Sequence, residues 1–172
     1  MRIENYFGDG GELLTSSKKM PNVKTQISKV VVYADGGSRG NPGPSAVGVV
    51  ILNDKGQKIK EYGHKLEDDA TNNEAEYEAV VFALKKLKLL FGSAKIKDLE
   101  VELRLDSQLI ASQLNGQYKI LEERMQLLFM KVWNLKMDFK KVSFKNIPRE
   151  QNSRADWLVN QTLDSAETDR LL

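Results

Sequence analysis

The sequence predicts an α/β domain built on a mixed five-stranded sheet covered by helices. Two observations carry that expectation. Three strand-like segments follow one another between residues 29 and 66 through short turns, the pattern of an antiparallel meander. Two more then alternate with stretches of helical period, the pattern of strand–helix crossovers.

The meander opens at Lys29–Asp35, whose continuous Val30-Val31-Val32 run predicts a strand buried on both faces. A glycine-rich turn leads to a second strand over Ala46–Asn53. Asn53-Asp54-Lys55-Gly56 is a hairpin signal that returns the chain along Gln57–Leu66. A helix is expected over Asn73–Phe91, stopped by Gly92, with an inward stripe of Val80, Ala83, Leu84, Leu87 and Leu90. In the fourth strand, Leu99–Asp106, Val101, Leu103 and Leu105 alternate with Glu102 and Arg104. A short helix over Ser107–Leu114 ends at Asn115-Gly116. The next, Glu122–Leu135, turns Met125, Leu128, Phe129, Val132 and Trp133 inward. Phe139–Ile147 is the fifth strand, and Asn152–Leu163 the last helix, with Ala155, Leu158, Val159 and Leu163 inward. In the resulting order, βββαβααβα, the first, fourth and fifth strands should be parallel and joined by right-handed crossovers.

At 172 residues the chain is one domain's worth, long enough to bury a core. Residues 28–165 form the predicted domain. Residues 1–27 show neither period and read as a polar, mobile extension, and 166–172 as a short C-terminal tail. No apolar stretch approaches the roughly 18 residues of a membrane span. The absence of cysteine excludes a disulfide framework and a thiolate metal site, and fits a cytoplasmic protein with no membrane partner. A formal charge of +2 is too small for a global field to attract nucleic acid, so any such partner must be held by local groups.

Four acids stand out by context. Asp35 closes the first strand before Gly36-Gly37, and Glu76 lies in the first turn of the long helix. Asp106 closes the fourth strand before Ser107, and Asp156 lies one turn after Asn152. Singly, each has a plain structural reading as turn former, helix-dipole partner, N-cap or surface charge. Jointly they are candidates for a hard-cation site, because carboxylate oxygens suit such ions and strand carboxyl ends gather sites in α/β sheets.

These residues lie in segments that resemble type 1 ribonuclease H over about Lys29 to Leu163. The segments are Asp35-Gly36-Gly37-Ser38-Arg39-Gly40-Asn41-Pro42-Gly43-Pro44, Thr71-Asn72-Asn73-Glu74-Ala75-Glu76, Asp106-Ser107-Gln108, and Ile147-Pro148-Arg149-Glu150-Gln151-Asn152-Ser153-Arg154-Ala155-Asp156. The resemblance implies the ribonuclease H-like fold, with strand order 3-2-1-4-5. It also implies hydrolysis of the RNA strand of an RNA–DNA hybrid to 5′-phosphate and 3′-hydroxyl ends by a monomeric enzyme. Asp35, Glu76, Asp106 and Asp156 would be catalytic ligands of two Mg²⁺ ions about 4 Å apart, replaceable by Mn²⁺, one generating hydroxide and the other stabilising the departing 3′-oxygen. Gly36, Gly37, Ser38, Asn41, Asn72 and Asn73 would meet the RNA strand, and Thr71 a DNA-strand phosphate.

Many relatives carry a histidine at the position of Asn146, and the only histidine here is His64 in the third strand. A hybrid-binding protein with weak or no cleavage therefore stays open beside the nuclease. A transposase-like core is a third reading, disfavoured by Asn72-Asn73 and the short chain. Among other candidates, Lys85, Lys86, Lys88, Lys95 and Lys97 read as a solvated helix face. Trp133 and Trp157 are expected in or near the core, and Arg149 and Arg154 each flank Asp156 closely enough to meet phosphate.

Overall fold

A computed structural model describes residues 27–171, with side chains described through Thr168. The predicted N-terminal extension thus lies, Ile27 apart, outside the described residues. The strands are β1 (Lys29–Ser38), β2 (Ser45–Asn53), β3 (Lys58–Lys65), β4 (Glu100–Leu105) and β5 (Lys141–Asn146). The helices are α1 (Asn72–Ile96), α2 (Gln108–Leu114), α3 (Glu123–Lys136) and α4 (Ser153–Leu171), the last preceded by a 3-10 turn over Arg149–Asn152. The sheet order is β3-β2-β1-β4-β5, with β1–β2–β3 antiparallel and β1–β4–β5 parallel, as the element pattern requires.

The main core lies between one sheet face and α1, where Val80, Ala83, Leu84 and Leu87 pack against Val30, Val32, Leu103 and Leu105. Each large aliphatic side chain buried there contributes about 1.5–3 kcal/mol. Tyr77 is fully buried in this layer, and its hydroxyl donates to Gln113 Oε1 at 3.0 Å, tying α1 to α2. The start of α1 is fixed by a capping box. Thr71 Oγ1 accepts from Glu74 N at 3.2 Å, and Glu74 Oε2 accepts from Thr71 N at 2.8 Å.

Among the described residues the opposite face carries only α4, and β1 is accordingly not buried on both sides as its valine run suggested. Val30, Val32 and Ala34 are buried, whereas Lys29, Val31 and Tyr33 are half-buried. Below α4 that face holds a polar ladder instead. Lys29 Nζ donates to Glu102 at 3.2 Å, Arg104 Nε to Glu102 at 2.8 Å, and Arg104 Nη1 to the Tyr33 hydroxyl at 2.6 Å. α4 packs where the sheet surface is smallest, burying Val159 and Leu163 against Ala46.

Several boundaries depart from expectation. Gly92 (φ 77°, ψ 158°) breaks the helical path where a stop was expected, but a further helical turn follows it to Ile96, whose burial draws that turn back to the core, and Leu90 is left 40% exposed. The segment predicted as a tail is helical through Leu171, since no glycine or proline interrupts it. Trp133 and Trp157, expected near the core, are 45% and 44% exposed and lie beneath the cationic ends of Lys136 and Arg154. No helix among the described residues is long and apolar enough to cross a membrane.

Two glycines set how near the helices come. A Cβ on Gly36 would lie 2.0 Å from the Ala75 carbonyl oxygen in the first turn of α1, and one on Gly48 2.1 Å from the Ala155 carbonyl oxygen in α4. Gly36 and Gly48 therefore admit helix backbone onto opposite faces of adjoining strands. Gly48→Ala should destabilise by about 2 kcal/mol, or about 4–8 °C in Tm for a chain of this size. Gly56→Ala, with open space but φ 77°, should cost only about 1 kcal/mol. Thermal denaturation of both variants checks this, and equal losses would refute the close-approach argument.

Candidate functional site

Register brings the first two acids together. β1 and β4 pair in parallel from Lys29↔Glu100 to Tyr33↔Arg104, and the same offset carried two residues on sets Asp35 level with Asp106. Glu76 reaches this end because the Gly36–Ala75 contact seats the first turn of α1 on β1. Asp35, Glu76 and Asp106 each offer an oxygen, and these oxygens lie within 4.8 Å of one another.

Asp156 arrives from α4. The preceding 3-10 turn is pinned by buried Asn152, whose Nδ2 donates to the Ala34 carbonyl at 3.0 Å, one residue before Asp35. Asp156 lines the same cavity, of about 440 Å³, as the other three acids, but stands outside their cluster and pairs with Arg149 at 3.4 Å. All four predicted acids thus face one cavity, three of them in mutual contact range.

The electrostatics are strained. Burial, then repulsion by Asp106 and Asp156, raises the Asp35 carboxyl to about 7, against the partial relief of the Gly36 amide and Arg149. Burial, then repulsion by Asp35 and Asp106, raises Glu76 to about 8. Glu76 Oε2 is buried without a hydrogen-bond partner. An all-oxygen donor set, repelling itself and holding an orphaned carboxylate oxygen, fits hard divalent cations.

Of the predicted contact residues, Gly36, Gly37, Ser38 and Asn72 line this cavity, and Asn41, Thr71 and Asn73 lie beside them without lining it. Asn72 Oδ1 accepts from Ser38 N at 3.0 Å, and Asn72 N donates to Asn41 Oδ1 at 3.0 Å, bracing the Gly-rich loop on the α1 N-terminus. Gly36, Gly37 and Ser38 line the cavity beside Asn72, Thr71 caps α1, and Asn73 is half-buried in the same turn. Of the two arginines beside Asp156, only Arg149 faces the acids. Arg154 turns away to Glu61 on β3, donating at 2.7 and 3.2 Å, and holds that carboxyl down at about 2.

Sequence reasoning did not single out Arg39 or Asn160, which also line the cavity. For Asn160 the signal was its i, i+4 spacing in α4, where Asp156, Asn160 and Asp164 share one face; nothing comparable marked Arg39. His64 is exposed on β3, stacked on Phe82 with ring centres 4.9 Å apart, and lines a different cavity. Asn146 donates Nδ2 to the Leu105 carbonyl at 3.2 Å, a tie between β5 and β4. Lys88 pairs with Asp138 and Lys86 lies over Tyr62 and Phe82, so neither adds to the site.

Comparison with known proteins agrees with this geometry. A model of the reverse transcriptase-like family matches residues 33–162. The chain is 38% identical over 138 residues to ribonuclease HI of Halobacterium salinarum, covering 80% of this chain and 66% of that protein. It is 32% identical over 138 residues to a bifunctional protein of Mycobacterium tuberculosis, where the matched part spans only 36% of the relative's length. Among solved structures, an RNase H1 named LC11, crystallised in complex with an RNA/DNA hybrid, superposes with a TM-score of 0.75 at 45% identity. The match covers 80% of this chain and 98% of that one.

The raised carboxyls give a pH prediction for metal-free protein. The folded state keeps protons on Asp35 and Glu76 that the unfolded chain has released above its ordinary carboxyl range, so stability should fall as pH rises from about 4 to about 8. In EDTA, Tm should drop across that range. Asp35→Asn should raise Tm at pH 8 and flatten the profile. A flat wild-type profile, or a lowered Tm for the variant at pH 8, would count against a strained cluster.

Proposed function

Since the chain belongs to the type 1 ribonuclease H family, we propose that it hydrolyses the RNA strand of RNA–DNA hybrids, leaving 5′-phosphate and 3′-hydroxyl ends. Asp35, Glu76, Asp106 and Asp156 would hold two Mg²⁺ ions, with Mn²⁺ able to replace them. The protein would act as a monomer in the cytoplasm. The observation that carries the reading is the convergence of Asp35, Glu76 and Asp106 oxygens within 4.8 Å in a cavity flanked by a backbone-rich loop. Divalent cations bound there would neutralise the scissile phosphate, activate water and stabilise the departing 3′-oxygen.

The chain's own residues have the other tasks. The 36–43 loop, braced by Asn41 and Asn72, presents backbone amides and small residues to the RNA strand, where 2′-hydroxyls distinguish RNA from DNA. Thr71, at the α1 N-terminus, offers a hydroxyl and a helix end to a DNA-strand phosphate. Arg149 brings positive charge to the acid-lined wall and suits the scissile phosphate or its neighbour. The cavity contains no cysteine, serine–histidine pair or other activated side-chain nucleophile among the described residues, so a direct attack by water is the fitting chemistry.

Asn146 favours one second reading. It occupies the position where many relatives carry a histidine, and its amide is engaged with β4, so no imidazole serves proton transfer there. A hybrid-binding protein that cuts weakly would share the rest of the site.

A strand-labelled hybrid with Mg²⁺ separates the two. The RNA strand should be cut and the DNA strand left whole. Asp106→Asn should reduce cutting beyond the roughly 10- to 100-fold lost with an outer-shell partner. RNA cleavage no faster than in that variant would leave the binder as the surviving reading.

A further inference from the structure

We propose that Arg39 is a phosphate contact for the bound nucleic acid, and that Asp164 on α4 is the counter-ion from which it is exchanged. The inference rests on the hybrid-binding site described above and assigns two residues that the family motifs leave without a role.

Arg39 lies in the loop that follows β1 and lines the acid cavity, and its Nη2 donates to Asp164 Oδ1 at 2.6 Å. Asp164 stands two turns beyond Asp156 on the same face of α4, roughly 12 Å along the axis. Asn160 lies between them, its Nδ2 donating to the Asp156 carbonyl at 3.0 Å. Two guanidinium–carboxylate pairs, Arg149–Asp156 and Arg39–Asp164, thus stand at the two ends of one helical stripe beside the cavity. Both arginines line the cavity that holds the acids.

The Arg39 pair is built to be broken. Its partners are 41% and 66% exposed, and ion pairs so open to water hold little stability. Asp164 buries nothing, since α4 is anchored by Ala155, Leu158, Val159 and Leu163. The loop backbone is fixed independently, with Arg39 N donating to the Pro44 carbonyl at 2.8 Å and Ser38 N held by Asn72. Release of Asp164 therefore requires only the arginine side chain to turn. A phosphate offers the same pair of acceptor oxygens that a carboxylate does, so the guanidinium fork suits both. Asp164 keeps the arm extended toward the groove and competes with the incoming strand for it.

This assigns opposite effects to the two partners, which a merely structural clasp does not. The test is titration of a fluorescent RNA–DNA hybrid with the full chain in Ca²⁺, followed by anisotropy, from about 50 to about 200 mM salt. Arg39→Ala should weaken binding on the order of tenfold and reduce the salt slope by roughly one. Arg39→Lys should restore part of the affinity, and Asp164→Asn should bind more tightly than wild type. Equal weakening by Arg39→Ala and Asp164→Asn, with matching losses of Tm, would make the pair a clasp and overturn the proposal. So would unchanged binding in both. Wild-type protein that binds no hybrid in the same titration would remove the functional reading as well, an outcome distinct from a wild type that binds while its variants do not diverge.

Discussion

The site exists because two helices touch the sheet at backbone distance. Gly36 lets α1 settle on one face of β1, and Gly48 lets α4 settle on the other face of β2, each at a point where a methyl group would overlap a carbonyl oxygen. From these contacts follow the reach of Glu76 over the end of β1 and the arrival of Asp156 beside the acid cluster. Asn152 adds a buried hydrogen bond that fixes the entry of α4 relative to Ala34. The carboxylates need no special conformation of their own, because the framework delivers them.

That delivery has an electrostatic cost which the fold carries rather than avoids. Asp35 is pushed to about 7 by burial and by Asp106 and Asp156, and Glu76 to about 8 by burial and by Asp35 and Asp106. Arg149 is the main cationic relief from within the cavity, and Asp156 shares it. A domain selected for stability alone would have little reason to bury repelling acids without a counter-charge. The strain marks the place where positive charge from outside the chain is to bind, and the cation's affinity and the apoprotein's weakness share that origin.

The outer wall follows a different rule. Away from the acids, several opposite charges are matched within the chain: Arg154 with Glu61, Lys29 and Arg104 with Glu102, Lys140 with Glu100. These pairs fix strand edges and the flank of α4. With +2 overall, attraction for a polyanion must come from a few groups near the cavity rather than from a global field. Arg149 and Arg39 are those that line it.

Much of this was legible along the chain. Strand and helix periods are local properties, and five strands in the right order, the four acids and the Gly-rich loop could be read from residues near one another. The errors lay where distant contacts decide. Gly92 does interrupt the helix, yet burial of Ile96 adds a further turn beyond it that local sequence did not announce. The valine run of β1 looked doubly buried, yet α4 covers only part of that face. Arg149 and Arg154 were equivalent in sequence, and only Glu61, far away on β3, draws one of them from the cavity. By itself, then, the sequence determined the elements and the identity of the acids, because short-range periodicity and residue chemistry specify both. The tertiary structure alone decided which charges share a cavity and how strongly they repel, because distance and burial are set by packing between segments remote in the chain.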